Sequence, residues 1–209
     1  MALPCYELAA FAMHPAECSE WMGRIDASMG PVSVPGVSGT HGDMSGRLRA
    51  AIEADDGAIA WLTAMASPHR ACDEGVVVSS QWFYMRYDEG GDMAAHMDGT
   101  VRLPGSEDGD PATGRRSVAT LLLYLNDGFE GGRTVFPRNM RMPSSYAEWV
   151  VDTDCIEDAD HVVPRPGRAV LVRQDAWHLG ERVVGGRKHL LRTDVGLRSF
   201  DVTQAGVVG

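Results

Sequence analysis

The 209-residue chain is 44% hydrophobic and 23% charged, the balance of a globular protein with room for one domain and a sizeable core. A formal net charge of −10 argues against a nucleic-acid partner, which asks for a basic face. It leaves room for a local basic pocket, since Arg115, Arg116, Arg133, Arg138 and Arg141 cluster in mid-chain. Cys5, Cys18, Cys72 and Cys155 are scattered without a CxxC pair, which argues against a zinc or redox motif and fits free thiols in a reducing compartment.

Residues 1–13 are apolar but carry Glu7 and no basic start. Neither a signal peptide nor a transmembrane span is expected, no membrane partner, and a cytoplasmic location is favoured. Residues 15–28 read as a helix with Cys18, Trp21, Met22 and Ile25 on one side. The Gly- and Pro-rich stretch 30–42 reads as a loop or short edge strand. Ser45 is placed to cap a second helix carrying Leu48, Ile52, Ile59, Leu62 and Met65, broken near Asp55-Asp56-Gly57 and ended by Pro68. Residues 1–75 are therefore expected to be a helical support without chemistry of its own.

Strand signals begin with the β-branched and aromatic run from Val76 to Tyr87. A Gly90-Gly91 turn leads to a strand from Met93 to Asp98. Residues 100–116, with three glycines and the acids Glu107, Asp108 and Asp110, read as a mobile loop, either solvent-facing or a lid. Strands are predicted at 117–126, 133–136, 169–172 and 188–200, with an irregular insertion over 137–163, a turn at 164–167 and a corner from Asp175 to His178. Seven or eight strands without βαβ alternation predict an antiparallel sandwich or jelly roll over 76–200, with the N-terminal helices packed on one sheet. The whole of 1–209 is expected to form one domain, all-β at its core and α+β by count. Oligomeric state is left open.

The chemistry concentrates at His96 and Asp98. Two residues apart on a strand, they share a face. A distant histidine, for which His178 is the best candidate, would complete the two-histidine, one-carboxylate set that suits non-haem Fe(II). The bare pattern also occurs at His41-Gly42-Asp43, in a stretch with no strand signal. His14, His69, His161 and His189 read as surface residues. Lys188 on an inward strand face would need an anion. Residues 188, 190, 192 and 194 share that face, so Arg192 belongs to the same pocket or meets substrate, while Arg187 points away. Trp82 and Tyr84 share a face and either line a groove or belong to the core.

Four ordered segments carry a family likeness: Tyr87-x-x-Gly90-x-x-x-x-x-His96-x-Asp98; Tyr124-Leu125-Asn126 with Phe129-Glu130-Gly131-Gly132-Arg133-Thr134-x-Phe136; the Pro166-Gly167 turn before an apolar strand; and His178-x-Gly180-x-x-Val183-x-x-Gly186-x-Lys188, followed by Leu191-Arg192-x-Asp194. Over roughly 80–196 the chain resembles the 2-oxoglutarate- and Fe(II)-dependent dioxygenases, within them the prolyl 4-hydroxylase-like branch. The resemblance implies a double-stranded β-helix with iron on His96, Asp98 and His178. It implies 2-oxoglutarate with its distal carboxylate on Lys188, supported by Tyr87 and Thr134, with Tyr124 a further pocket candidate. O2 would be the oxidant and ascorbate a stimulant. Arg133 stands where the family usually has an acid.

The implied reaction is hydroxylation of an unactivated C–H bond coupled to decarboxylation of 2-oxoglutarate. Asp98 favours it over halogenation, since related halogenases leave that ligand position to chloride. The first reading of the substrate is a peptidyl or protein side chain, prolyl 4-hydroxylase-like. The alternative is a free amino acid or small metabolite. Less favoured are a non-catalytic metal-binding jelly roll and a nucleic-acid demethylase, the latter against the charge.

Overall fold

The computed structural model describes residues 5–7, 13–28, 47–51, 76–103, 116–137 and 159–197. Its elements are strand β1 (Cys5–Glu7), helix α1 (Pro15–Ser28), and strands β2 (Arg47–Ala51), β3 (Val76–Tyr87), β4 (Met93–His96), β5 (Ser117–Tyr124), β6 (Glu130–Gly131) and β7 (Thr134–Phe136). Strands β8 (Asp160–Val162), β9 (Ala169–Arg173), β10 (His178–Gly180), β11 (Val183–Gly185) and β12 (Lys188–Leu197) complete them. A six-stranded sheet runs β1-β9-β5-β12-β3-β2, a four-stranded sheet β4-β10-β7-β8, and β11 pairs with β6. Every pair is antiparallel. This is the expected double-stranded β-helix.

Strand alternation sorts the large sheet into two faces. Trp82, Tyr84, Leu121, Leu123, Leu191 and Val195 pack with Met13, Cys18 and Trp21 of the α1 region. Met85, Tyr87, Leu122, Tyr124, Val170, Val172 and Leu190 turn the other way and pack with Phe136 and Val183. The second cluster lies on the face that carries the polar site. Helix α1 thus covers the large sheet as predicted, and Cys18 is an idle buried thiol, pushed up to about 11 mainly by burial.

Two expectations for the N-terminal third need correction. Arg47–Ala51 is no helix: it pairs with Phe83–Tyr87 as an edge strand of the large sheet. The helical spacing of Leu48 and Ile52 is a weak preference, and the open backbone edge of β3 outweighs it. Cys5–Glu7 is likewise a strand, on β9 at the opposite edge. The second-helix expectation beyond Ala51, the 30–42 stretch, the His41 pattern, His69, most of the 100–116 loop and most of the 137–163 insertion lie outside the described residues. The ends of that loop are joined: Arg102 bridges Arg116, and the Ser117 amide donates to the Val101 carbonyl.

Later boundaries hold to within a few residues, with two local changes. Strand β4 stops at His96, so Asp98 lies beyond it, and His178 opens a strand where a corner was expected. Trp82 and Tyr84 are core residues under α1 and line no groove. His189 is buried, not on the surface, because it lies on the helix-facing side of β12. His14 and His161 are exposed as expected.

Candidate metal and cosubstrate site

His96 and His178 stand opposite each other across the β4–β10 pair, with ring centroids 4.3 Å apart. Each ring is oriented by a backbone carbonyl two residues earlier in the chain. Nδ1 of His96 lies 2.8 Å from the Ala94 carbonyl and Nδ1 of His178 lies 3.1 Å from that of Ala176. A proton on each Nδ1 satisfies the carbonyls and leaves each Nε2 as a lone-pair donor, the arrangement that presents a histidine to a metal. These Nε2 atoms point at Asp98, 3.6 Å from its Oδ1 for His96 and 3.7 Å from its Oδ2 for His178. Ligand atoms of the three residues all lie within 4.8 Å of one another, the only such group among the described residues.

Since Asp98 lies past the end of β4, the pleat does not aim it. Two residues of the large sheet do. Thr120 on β5 donates a 2.6 Å hydrogen bond to Oδ2, and Arg192 on β12 approaches Oδ1 at 3.2 Å. Burial alone would raise the Asp98 carboxyl, but contact with His96, Arg192, His178 and Thr120 outweighs it and holds the group well below the usual carboxylate range. Burial, then His96, pushes the His178 imidazole down to about 4. A carboxylate and a neutral imidazole at neutral pH are what a divalent metal requires. The donor set therefore fits an iron ion, and the three expected ligands are brought together.

A second group gathers one strand away. Lys188 opens β12, is 2% exposed and donates a 2.7 Å hydrogen bond to the Gly132 carbonyl. Its Nζ lies 5.2 Å from the Tyr87 ring and 5.6 Å from the Tyr124 ring. Tyr124 shares a 2.7 Å hydrogen bond with Thr134, which sits opposite Gly180 on the β7–β10 pair. The structure thus assembles Lys188, Tyr87, Tyr124 and Thr134 as one cluster beside the histidine strands. Burial drives the Lys188 ammonium down to about 7, with Glu181 opposing, and among the described residues no carboxylate stands within ion-pair distance. A buried ammonium backed by two tyrosine rings suits a carboxylate from outside.

Arg192 lies beside Asp98 and Asp194, four residues along β12 from Lys188, and so adjoins the metal group. Arg187 points away from the pocket and pairs with Asp88 at 2.7 Å. Arg133, in the place of the usual acid, is held by Glu181 through bonds of 2.8 and 2.6 Å. The Gly131-Gly132 pair is a turn requirement: both have positive φ, and a Cβ on Gly131 would come 2.2 Å from the Arg182 carbonyl. Sequence reasoning missed Thr120, Gln174 and Ser117, and it placed Asp194 on the inward face without a role. The available signal was a lone threonine in the apolar run of β5, in register with Asp194.

A jelly roll holding a His–Asp–His set fits the class of non-haem iron oxygenases. The family model of the 2OG-Fe(II) oxygenase superfamily matches residues 82–193, more than half of the sequence, and the chain belongs to that family. It is accordingly an oxidoreductase that uses Fe(II), 2-oxoglutarate and O2. The fold is shared with a viral collagen prolyl hydroxylase from Paramecium Bursaria Chlorella virus-1, at 14% identity and TM-score 0.56, covering 93% of this chain and 96% of that one. HygX from Streptomyces hygroscopicus, whose structure holds nickel, 2-oxoglutarate and hygromycin B, is similar at 15% identity and TM-score 0.62, covering 92% and 82%. A Pseudomonas putida prolyl-4-hydroxylase gives 17% identity and TM-score 0.51, covering 94% and 93%. No curated protein sequence matches. Among the described residues, no helix is long and apolar enough to cross a membrane.

Proposed function

We propose that the protein hydroxylates an unactivated C–H bond, with Fe(II) held by His96, Asp98 and His178 and the distal carboxylate of 2-oxoglutarate held by Lys188. The observation that carries this reading is the pairing of a pre-oriented triad with a buried lysine that has no carboxylate partner among the described residues. When bound, iron and 2-oxoglutarate supply the oxidation: one oxygen atom of O2 enters succinate as CO2 leaves, and the other enters the substrate C–H bond. The chain's own residues do the positioning. The Ala94 and Ala176 carbonyls set the imidazoles, Thr120 and Arg192 set the carboxylate, and Lys188 with Thr134 and Tyr124 orients the cosubstrate.

For the substrate, we propose a prolyl side chain of a peptide or protein, the class named for two of the structural neighbours. A free amino acid or small metabolite is the second reading. It is favoured by the burial of Trp82 and Tyr84, which keeps these two aromatic residues from lining a groove for a proline-rich chain. Succinate release measured against proline-containing peptides, free amino acids and small metabolites separates the two, with mass spectrometry for a gain of one oxygen. Asp98→Ala is expected to abolish both metal binding and turnover. Full metal binding and activity in that variant would overturn the site assignment.

A further inference from the structure

We infer that Arg192 is a positioning residue that reserves Oδ1 of Asp98, so that this carboxylate serves a bound metal through its other oxygen alone. The inference rests on the proposed iron site. Asp98 has two oxygens facing the histidines, and a carboxylate so placed can give a metal one oxygen or two. The two oxygens are held differently. Oδ2 receives a neutral hydroxyl, from Thr120. Oδ1 receives a cation, Nη2 of Arg192 at 3.2 Å. A dication on Oδ1 would sit next to the guanidinium, and their repulsion in a partly buried site is substantial. The charge on Arg192 therefore steers the metal to Oδ2.

Arg192 is itself fixed. The same Nη2 lies 3.4 Å from Oδ1 of Asp194, which accepts from Gln174 Nε2 at 3.2 Å. Gln174 Oε1 accepts in turn from Ser117 Oγ at 3.0 Å, and that hydroxyl takes the Val101 amide at 2.8 Å. Ser117, Gln174 and Asp194 are all buried. Such a satisfied polar chain fixes rotamers, and it runs from the root of the 100–116 loop to the candidate iron ligand. Keeping Asp98 to one oxygen matters because a second would take a coordination position that 2-oxoglutarate or O2 needs.

The test compares Arg192→Gln, which loses the charge, with Arg192→Lys, which keeps it, using the Co(II)-loaded full chain without O2. Arg192→Gln should bind Co(II) at least as tightly as the parent, change its visible absorption, and weaken 2-oxoglutarate binding at least about tenfold. Arg192→Lys should restore most of both. Equal behaviour of the two variants, or a parental spectrum and 2-oxoglutarate affinity in Arg192→Gln, would overturn the inference. So would loss of Co(II) binding in Arg192→Gln. Asp98→Ala is the separating control: if it still binds Co(II), the iron-site reading itself has failed; if it does not, a negative result at Arg192 concerns Arg192 alone.

Discussion

Replacing Lys188 by methionine removes a charge and leaves most of the volume. In the unliganded protein this ammonium is buried, donates only to the Gly132 carbonyl among the described residues, and titrates near 7 instead of 10.5. On the proposed assignment, pairing with the distal carboxylate of 2-oxoglutarate would restore the interaction that burial took away. A charge-assisted hydrogen bond of this kind contributes about 1.5–3 kcal/mol, roughly tenfold to a hundredfold in affinity. Lys188→Met should weaken 2-oxoglutarate binding by at least that factor, because it also leaves a carboxylate buried without a partner. The depressed pKa adds a pH signature. Above about pH 7 the free protein loses the charge, so binding must take up a proton, and parental affinity should fall roughly tenfold per pH unit. Stability without cosubstrate runs the opposite way. Between about 7 and 10.5 the unfolded chain binds more protons than the folded one, so this lysine's penalty is full below 7 and fades as pH rises. Lys188→Met should therefore melt higher than the parent at neutral pH. Calorimetric titration of metal-loaded protein without O2 gives the affinities, and thermal melts give the stabilities. A pH-independent 2-oxoglutarate affinity that Lys188→Met leaves unchanged would refute the assignment. Arg187→Ala, exposed and paired only with Asp88 among the described residues, serves as the near-neutral control.

Gly131→Ala forces a Cβ into the Arg182 carbonyl at a φ of 74° and should cost at least about 1–3 kcal/mol in denaturant unfolding, with weaker 2-oxoglutarate binding because the Lys188 acceptor lies on the next residue. Among the described residues neither ring nitrogen of His189 has a hydrogen-bond partner, and the ring stacks on Tyr84 at 5.8 Å, so His189→Phe should stabilise the protein by about 1–2 kcal/mol. Burial lowers the His189 pKa, so the unfolded chain binds more protons in the window just below 6.5. Its contribution to stability is full above that window and lost on acidification, and the variant should show a shallower acid slope in melting temperature.

The triad was legible because iron chemistry demands particular residue types, and the Tyr87-to-Asp98, Gly131-to-Thr134 and His178-to-Lys188 segments occur in order. The strand pattern of β3, β5, β9 and β12 was legible for a different reason: β3 is rich in β-branched and aromatic residues, β5 and β9 are apolar runs, and β12 is long enough to alternate. Strands of two or three residues such as β6, β8, β10 and β11 leave almost no pattern to read. β2 was misread because an edge strand borrows its conformation from its neighbour. Thr120 was missed since a hydroxyl in an apolar strand has no family spacing to mark it; only its register beside Asp194 reveals its place opposite Asp98.

One parity rule accounts for both the correct and the mistaken readings on β12. Alternate residues Lys188, Leu190, Arg192 and Asp194 face the site, and each has a task there: an anion-seeking ammonium, core packing, the Asp98 contact, and the support of Arg192. The intervening His189, Leu191, Thr193 and Val195 face away, among them Leu191 and Val195 in the core under α1. His189, read as a surface residue for lack of a metal-site partner, is buried by the same alternation that brings Lys188 inward. A one-residue slip of this strand would turn His189, Leu191, Thr193 and Val195 to the site and send the lysine to the helix-facing side. The register of β12 against β3 and β5, set by the long apolar strands, is thus the feature that couples the core to the chemistry.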